Sequence, residues 1–154
     1  MKVILGINAN HTDSSACIIV NGKIIAAIEE ERLNRIKHFS GYPLNSIQEC
    51  LNIAKIKSTE ITDIAFNTKP LSNIIPKSLF FFKNFSLKKN QPLNRVLKKI
   101  NIRKKLLENF KLEKNIKFHF IEHHLAHIAS AFYPSGFKKS NGLSIDGSGD
   151  FVTC

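Results

Sequence analysis

Three short apolar runs at the amino terminus constrain the fold of this 154-residue chain more than any other feature. Residues 2–9 predict a buried strand, residues 16–20 a second strand and residues 23–28 a third. The pair Asn21-Gly22 separates the last two runs and favours the tight turn of a β-hairpin. Because a short polar loop joins the first two runs, we expect an antiparallel meander of three strands.

The rest of the chain predicts alternating helices and strands. A charged turn or short helix follows the meander, and apolar residues then recur at helical or alternating spacing. The resulting order predicts an α/β fold that matches, by topology, half of an actin-like ATPase fold of the sugar kinase, Hsp70 and actin superfamily. The predicted helices cover residues 44–56 and 123–132, the predicted strands 61–68, 116–121 and 143–145, and a mostly helical pattern covers 71–114.

Composition indicates a globular protein, since 43% of the residues are hydrophobic. No apolar run approaches the roughly 18 residues of a membrane span, and we interpret the first apolar run as a strand rather than a signal peptide. The three cysteines, Cys17, Cys50 and Cys154, lack C-x-x-C spacing and are expected to be reduced thiols of a cytoplasmic protein. Residues 150–154 resemble the start of a strand, so we expect the chain to be part of a longer protein.

The net charge of +11 belongs to one segment, residues 77–117, while the remaining residues are neutral in sum. A solvated helical insertion explains this charge best, because the segment lacks the alternation of basic and aromatic residues that stacks bases. A patch for RNA, a membrane surface or another anionic partner stays open as an alternative.

A histidine-rich helix start is the strongest chemical signal. His123 and His127 lie four residues apart, so a helix presents both imidazoles on one face. Asp146 follows an apolar run and is the expected third metal ligand, while His124 points about 100 degrees away, toward a substrate or an outer contact. Two nitrogen donors and one oxygen donor suit iron(II), zinc or manganese.

Two further polar stretches are candidates for chemistry. In the turn after the first strand, His11 is a candidate general acid or base, and Asp13 would orient it or a substrate hydroxyl. An ordinary polar hairpin loop is an equal alternative. In residues 29–38, Lys37 would carry charge near a transfer site, although the pattern alone favours a solvated charged run.

Together these stretches resemble the amino-terminal domain of carbamoyltransferases of the NodU/CmcH type, which O-carbamoylate nodulation factors and antibiotics. The resemblance makes residues 1–154 part of such a domain, with about 70–115 as a basic, mostly helical insertion. The residues that carry it are 6–17, 22–38, 41–43, 122–132 and 146–150.

The resemblance implies two active centres. A carboxy-terminal domain makes carbamoyl-adenylate from ATP and carbamoyl phosphate, and the amino-terminal domain transfers the carbamoyl group to a hydroxyl of a small-molecule or sugar acceptor. By this likeness His123, His127 and Asp146 bind a divalent metal, with iron(II) expected first and zinc or manganese as alternatives. His11 becomes the candidate base and Lys37 the group that stabilises transferring charge. The implied nucleotide or substrate contacts are Asp13, His124, Gly147, Ser148, Gly149 and Asp150.

Family members are several times longer, and the adenylate-forming domain is missing here. We therefore expect this chain to be inactive when isolated. We expect no nucleic-acid partner, and a homodimer stays open. Two alternatives remain: a transferase of the tRNA threonylcarbamoyl-adenosine type, and a non-catalytic remnant that acts as a binding module.

Overall fold

The computed structural model describes residues 1–69 and 102–146. These residues fall into two compact units, residues 1–66 with 102–119 in the first and residues 67–69 with 120–146 in the second. The elements are β1 (Val3–Asn8), β2 (Ser15–Val20), β3 (Lys23–Glu29), α1 (Glu30–Asn34), α2 (Leu44–Ala54), a 3-10 turn (Ser58–Glu60), β4 (Asp63–Phe66), α3 (residues 102–109), β5 (Lys117–Phe120) and α4 (His123–Ser135).

The sheet has the strand order β3-β2-β1-β4-β5. β1 pairs antiparallel with β2 and β2 antiparallel with β3, whereas β4 lies parallel to β1. Asn21 and Gly22 have φ angles of 48° and 82°, the left-handed backbone that a two-residue hairpin turn requires. The predicted meander and the α/β class are therefore confirmed, in the element order that the sequence matched to half of an actin-like fold.

The hydrophobic core lies in the first unit. Alternate residues of β1, Val3, Leu5 and Ile7, are buried, as the period of two in a strand requires. Ile47 and Leu51 of α2 are buried in the same cluster, on the face of the helix that the apolar spacing predicted. This packing fixes the strand ends from which the polar turns project.

Gly6 allows β1 and β2 to lie close together. A Cβ atom at this position would come within 2.6 Å of the Sγ atom of Cys17, its partner across the strand pair. Because real Cβ atoms essentially never approach another heavy atom so closely, only glycine fits here without a shift of the Cys17 side chain.

One carboxylate of the charged run is buried. Glu30 is only 2% exposed, and its carboxylate accepts hydrogen bonds from the backbone N–H groups of Asn45 (3.3 Å) and Ser46 (2.8 Å). The side chains of the same two residues also donate to it, at 2.7 Å and 2.8 Å. Glu30 thus caps the amino terminus of α2, and the interpretation of this run as fully solvated is wrong at this position.

The element ends differ from prediction in the second unit. Residues 143–145 were expected to form a strand, but within the described residues they form no regular structure, and Leu143 and Ile145 are 80% and 77% exposed. A segment that does not pair with another strand is not a β-strand, even when its residues are apolar. α4 continues through Pro134 and ends at Ser135, and Gly136 caps it with a φ of 76°, which suits a helix terminus.

The predicted helical pattern over residues 71–114 is confirmed for α3 and is wrong for residues 110–114, which are not helical. Residues 71–101 lie outside the described residues. None of the helices in the described ranges is long and apolar enough to cross a membrane.

Candidate metal centre and polar turns

The histidines of α4 are held by a cap at the start of the helix. The side chain of Glu122 accepts hydrogen bonds from the backbone N–H groups of His124 (3.1 Å) and Leu125 (2.8 Å). These N–H groups belong to the first turn, whose backbone donors have no acceptors within the helix. The cap fixes where the helix begins and hence the direction in which His123 and His127 point.

The three predicted ligands, His123, His127 and Asp146, converge. The Nε2 atom of His123 lies 2.7 Å from Oδ2 of Asp146 and 3.1 Å from Nε2 of His127. Nε2 of His127 lies 3.7 Å from the same carboxylate oxygen. The side chain of His123 is only 8% exposed, whereas that of His127 is 54% exposed, so the cluster opens to solvent on one side.

This donor set fits a divalent cation. Ligand atoms about 2.1 Å from a tetrahedral ion lie about 3.4 Å from one another, which is close to the three separations here. The Nε2 atoms of the two imidazoles and one carboxylate oxygen surround a common point. One cation at that point would contact all three atoms. Nitrogen and oxygen donors with an exposed side suit iron(II), zinc or manganese.

His124 points away from the cluster, as the helical spacing implies. Its Nδ1 atom lies 3.1 Å from the hydroxyl of Ser144. The residue is 8% exposed and contacts the ring of His123 edge to face. Its predicted contact with a nucleotide or substrate stays a prediction.

The turn between β1 and β2 is held by its own polar groups. The amide of Asn8 donates to the backbone carbonyl of Asp13 at 2.9 Å, and the hydroxyl of Ser14 donates to the carbonyl of His11 at 3.0 Å. Asp13 has a φ of 59°, a left-handed conformation that aspartate tolerates better than most residues. His11 is exposed on this turn.

The carboxylate of Asp13 pairs with His38, not with His11. The Oδ1 atom of Asp13 lies 3.0 Å from Nδ1 of His38. This hydrogen bond, followed by the charge of the carboxylate, raises the pKa of His38 above its ordinary value. The predicted role of Asp13, to orient His11 or a substrate hydroxyl, stays a prediction. Lys37 is exposed beside His38 in the same turn.

A further histidine–aspartate pair, which the sequence did not predict, joins His119 and Asp63. Nε2 of His119 lies 2.7 Å from Oδ1 of Asp63, a residue that is 5% exposed at the start of β4. The hydrogen bond from His119, then that from Thr62, lowers the pKa of Asp63. No local motif marks this pair, because its members lie 56 residues apart and meet only through the sheet.

Four predicted contacts, Gly147, Ser148, Gly149 and Asp150, lie outside the described residues, as does most of the basic segment 77–117. Of the basic residues that are described there, Arg103 lies over the ring of Phe118 and Lys105 over the ring of Tyr42. Cys17 and Cys50 are free thiols.

Comparisons with known proteins agree with the geometry. The chain is 38% identical to the nodulation protein NolNO of Sinorhizobium fredii over 92% of its own length and 20% of that protein. It is 35% identical to the uncharacterized protein sll1178 of Synechocystis over 99% of its length and 26% of that protein. The chain thus spans about a fifth to a quarter of the length of these curated relatives.

Among solved structures, YeaZ from Pseudomonas aeruginosa matches 56% of this chain and 40% of its own, with 16% identity and a TM-score of 0.34, which is too low to carry an argument. The model of the carbamoyltransferase amino terminus, in contrast, matches residues 3–154, including both histidine-bearing regions. The chain belongs to the carbamoyltransferase amino-terminal family.

Proposed function

We propose that this chain is the amino-terminal part of an O-carbamoyltransferase that moves a carbamoyl group from carbamoyl-adenylate to a hydroxyl of a small-molecule or sugar acceptor. The observation that carries the proposal is the convergence of His123, His127 and Asp146 in a member of this family. A helix start with only a structural role would not require two imidazole nitrogens and a carboxylate to converge on one point.

His123, His127 and Asp146 would hold the divalent metal, with iron(II) expected first. A metal in this position supplies Lewis acidity toward the adenylate phosphate and offsets charge on the departing AMP. The cap from Glu122 keeps the two imidazoles preorganised, so little reorganisation accompanies binding.

The remaining assigned residues would bind and orient the reactants. The Lys37 ammonium is exposed and would stabilise negative charge on the transferring group. His11 and Asp13 lie on a turn that projects from the sheet, where an acceptor can reach them. Gly147, Ser148, Gly149 and Asp150 would line the nucleotide site together with His124.

ATP and carbamoyl phosphate would be substrates of a carboxy-terminal domain that makes the adenylate. Because the chain spans only 20% of NolNO, we propose that the isolated 154 residues do not complete the reaction. Detection of carbamoyl transfer by the isolated chain would refute this part of the proposal.

Metal content tests the core of the proposal. We expect about one divalent ion per chain in protein purified without chelator, and loss of that ion in both His123→Ala and His127→Ala. Ser130→Ala, on the same helix, is the control and should keep the metal. Metal retained in both histidine variants, or absent from the full-length protein that carries this sequence, would contradict the proposed site.

Transfer is then measured in that full-length protein, supplied with ATP, carbamoyl phosphate and a panel of sugar and small-molecule alcohols. The expected result is carbamoylated alcohol with matching AMP release, both lost in His123→Ala. AMP release without a carbamoylated product from any alcohol would contradict the proposed reaction.

A further inference from the structure

Hydrogen bonds join two turns of the first unit, residues 10–14 and 37–41. The backbone N–H of Asn10 donates to the carbonyl of Gly41 at 2.8 Å. The hydroxyl of Ser14, a residue that is 1% exposed, lies 2.9 Å from the same carbonyl oxygen and 3.0 Å from the N–H of Gly41. The two turns therefore present their side chains in a fixed relation to each other.

Three potential metal ligands, Asp13, Glu31 and His38, lie together at this junction. Oδ1 of Asp13 lies 3.0 Å from Nδ1 of His38, and Oε2 of Glu31 accepts the backbone N–H of His38 at 2.9 Å. One oxygen from each carboxylate and one ring nitrogen of His38 all lie within 4.8 Å of one another. The donors come from the two turns and from α1, so folding of the first unit brings them together.

These separations suit a six-coordinate divalent ion. Donor atoms about 2.1 Å from such an ion lie roughly 3.0 Å apart at adjacent positions and roughly 4.2 Å apart at opposite positions. The contact between Asp13 and His38 matches the adjacent spacing. Because these two side chains are 48% and 65% exposed, they can turn toward an ion, and water can occupy its remaining positions.

The charge of the cluster also favours a divalent cation. Two carboxylates and a neutral imidazole together carry two negative charges, which one divalent ion neutralises. The hydrogen bond and the charge of Asp13, and then the charge of Glu31, raise the pKa of His38, and the same negative potential attracts a metal ion. Arg32 offsets part of this charge, since its guanidinium lies 3.4 Å from Oε1 of Glu31. Oε2 of Glu31 keeps a lone pair for an ion while it accepts the N–H of His38.

We propose that Asp13, Glu31 and His38 form a second divalent-cation site, which shares no ligand with the cluster on α4. One nitrogen donor and two oxygen donors suit manganese(II) or zinc. An ion there ties the two turns to α1 and stabilises the first unit, because it binds the folded arrangement. Since His38 and Asp13 are largely exposed, the site fills when metal is added and empties during purification. It does not depend on the proposed carbamoyl transfer, because all three ligands belong to the first unit.

Titration of the 154-residue chain with Mn²⁺, with free ion measured by electron paramagnetic resonance, tests the second site. In His123→Ala, which removes the other proposed site, we expect about one Mn²⁺ per chain. Addition of Asp13→Asn or His38→Asn should weaken this binding by more than about tenfold. Both positions have left-handed backbone, with φ of 59° and 54°, which asparagine tolerates. Glu29→Gln is the control, because this exposed carboxylate pairs with Arg32 outside the cluster, and it should change the affinity by less than about twofold.

Nitrogen-15 spectra of His38 provide a second readout that needs no variant. A carboxylate only accepts, so the contact with Asp13 places the proton of the neutral ring on Nδ1 in the metal-free chain. Zinc bound at Nδ1 displaces that proton, so excess zinc should leave the ring protonated on Nε2. An unchanged His38 ring in excess zinc, or Mn²⁺ affinity that Asp13→Asn and His38→Asn leave intact, overturns the second site. Metal retained by His123→Ala but lost with Asp13→Asn upholds it, whatever the outcome for carbamoyl transfer.

Discussion

Replacement of Glu30 by alanine gives the sharpest test of how this fold is stabilised. The carboxylate accepts four hydrogen bonds from Asn45 and Ser46, and Ser46 is fully buried. Glu30→Ala leaves the buried N–H and hydroxyl of Ser46 without acceptors, at about 1–3 kcal/mol for each buried orphan group. Removal of the charged group itself recovers part of its desolvation penalty.

We therefore expect Glu30→Ala to lower the free energy of unfolding by about 3 kcal/mol, a large share of the 5–15 kcal/mol typical of a domain. Urea unfolding followed by far-ultraviolet circular dichroism measures this difference. Glu29→Ala is the matched control, because that exposed glutamate makes only a surface ion pair with Arg32 at 3.5 Å and should change stability by less than about 0.5 kcal/mol. Equal effects of the two substitutions would refute the capping argument.

Two other positions give quantitative predictions. Gly6→Ala should destabilise the first unit by about 1–3 kcal/mol through overpacking against Cys17, and the double variant with Cys17→Ala should recover part of that loss in a double-mutant cycle. Asp63 has a lowered pKa in the folded state, so its pairing stabilises the fold above the unfolded pKa and this stabilisation is lost as pH falls through the lower, folded pKa. Wild type should thus be more stable than His119→Gln near pH 6, and the difference should shrink below about pH 4; a difference independent of pH in urea unfolding would contradict this assignment.

The meander could be predicted from the sequence because the patterns that determine it lie within short stretches of the chain. Alternation in β1, and the Asn21-Gly22 turn between β2 and β3, act between residues that are close in the chain. The capped helix α4 was predictable for the same reason, since spacing of four places His123 and His127 on one face. Asp146 joins the two histidines because the chain after α4 returns to that face of the helix.

The polar contacts between distant residues were not predictable. Glu30 stands in a run of three glutamates, and only its position under the amino terminus of α2 distinguishes it from its exposed neighbour Glu29. Asp13 and His38 lie 25 residues apart and meet where hydrogen bonds from Asn10 and Ser14 to Gly41 join the two turns. In each case the sheet decides which polar groups meet, and no local pattern encodes that choice.

The three histidine–aspartate pairs among the residues that the structure describes have different surroundings. His119 and Asp63 meet where the Asp63 side chain is only 7% exposed, and Thr62 and Lys2 contact the same carboxylate, so the pair ties strands together. His123 and Asp146 meet beside the His127 Nε2 atom, and these three groups are the ones proposed to hold a metal.

His38 and Asp13 instead meet at the surface, where the His38 side chain is 65% exposed. The surroundings of the three pairs therefore differ: the first has further protein partners, the second a neighbouring imidazole and the third an exposed histidine. Loss of His119 should therefore mainly reduce stability, whereas loss of His123 should remove the proposed metal and, with it, the proposed transfer.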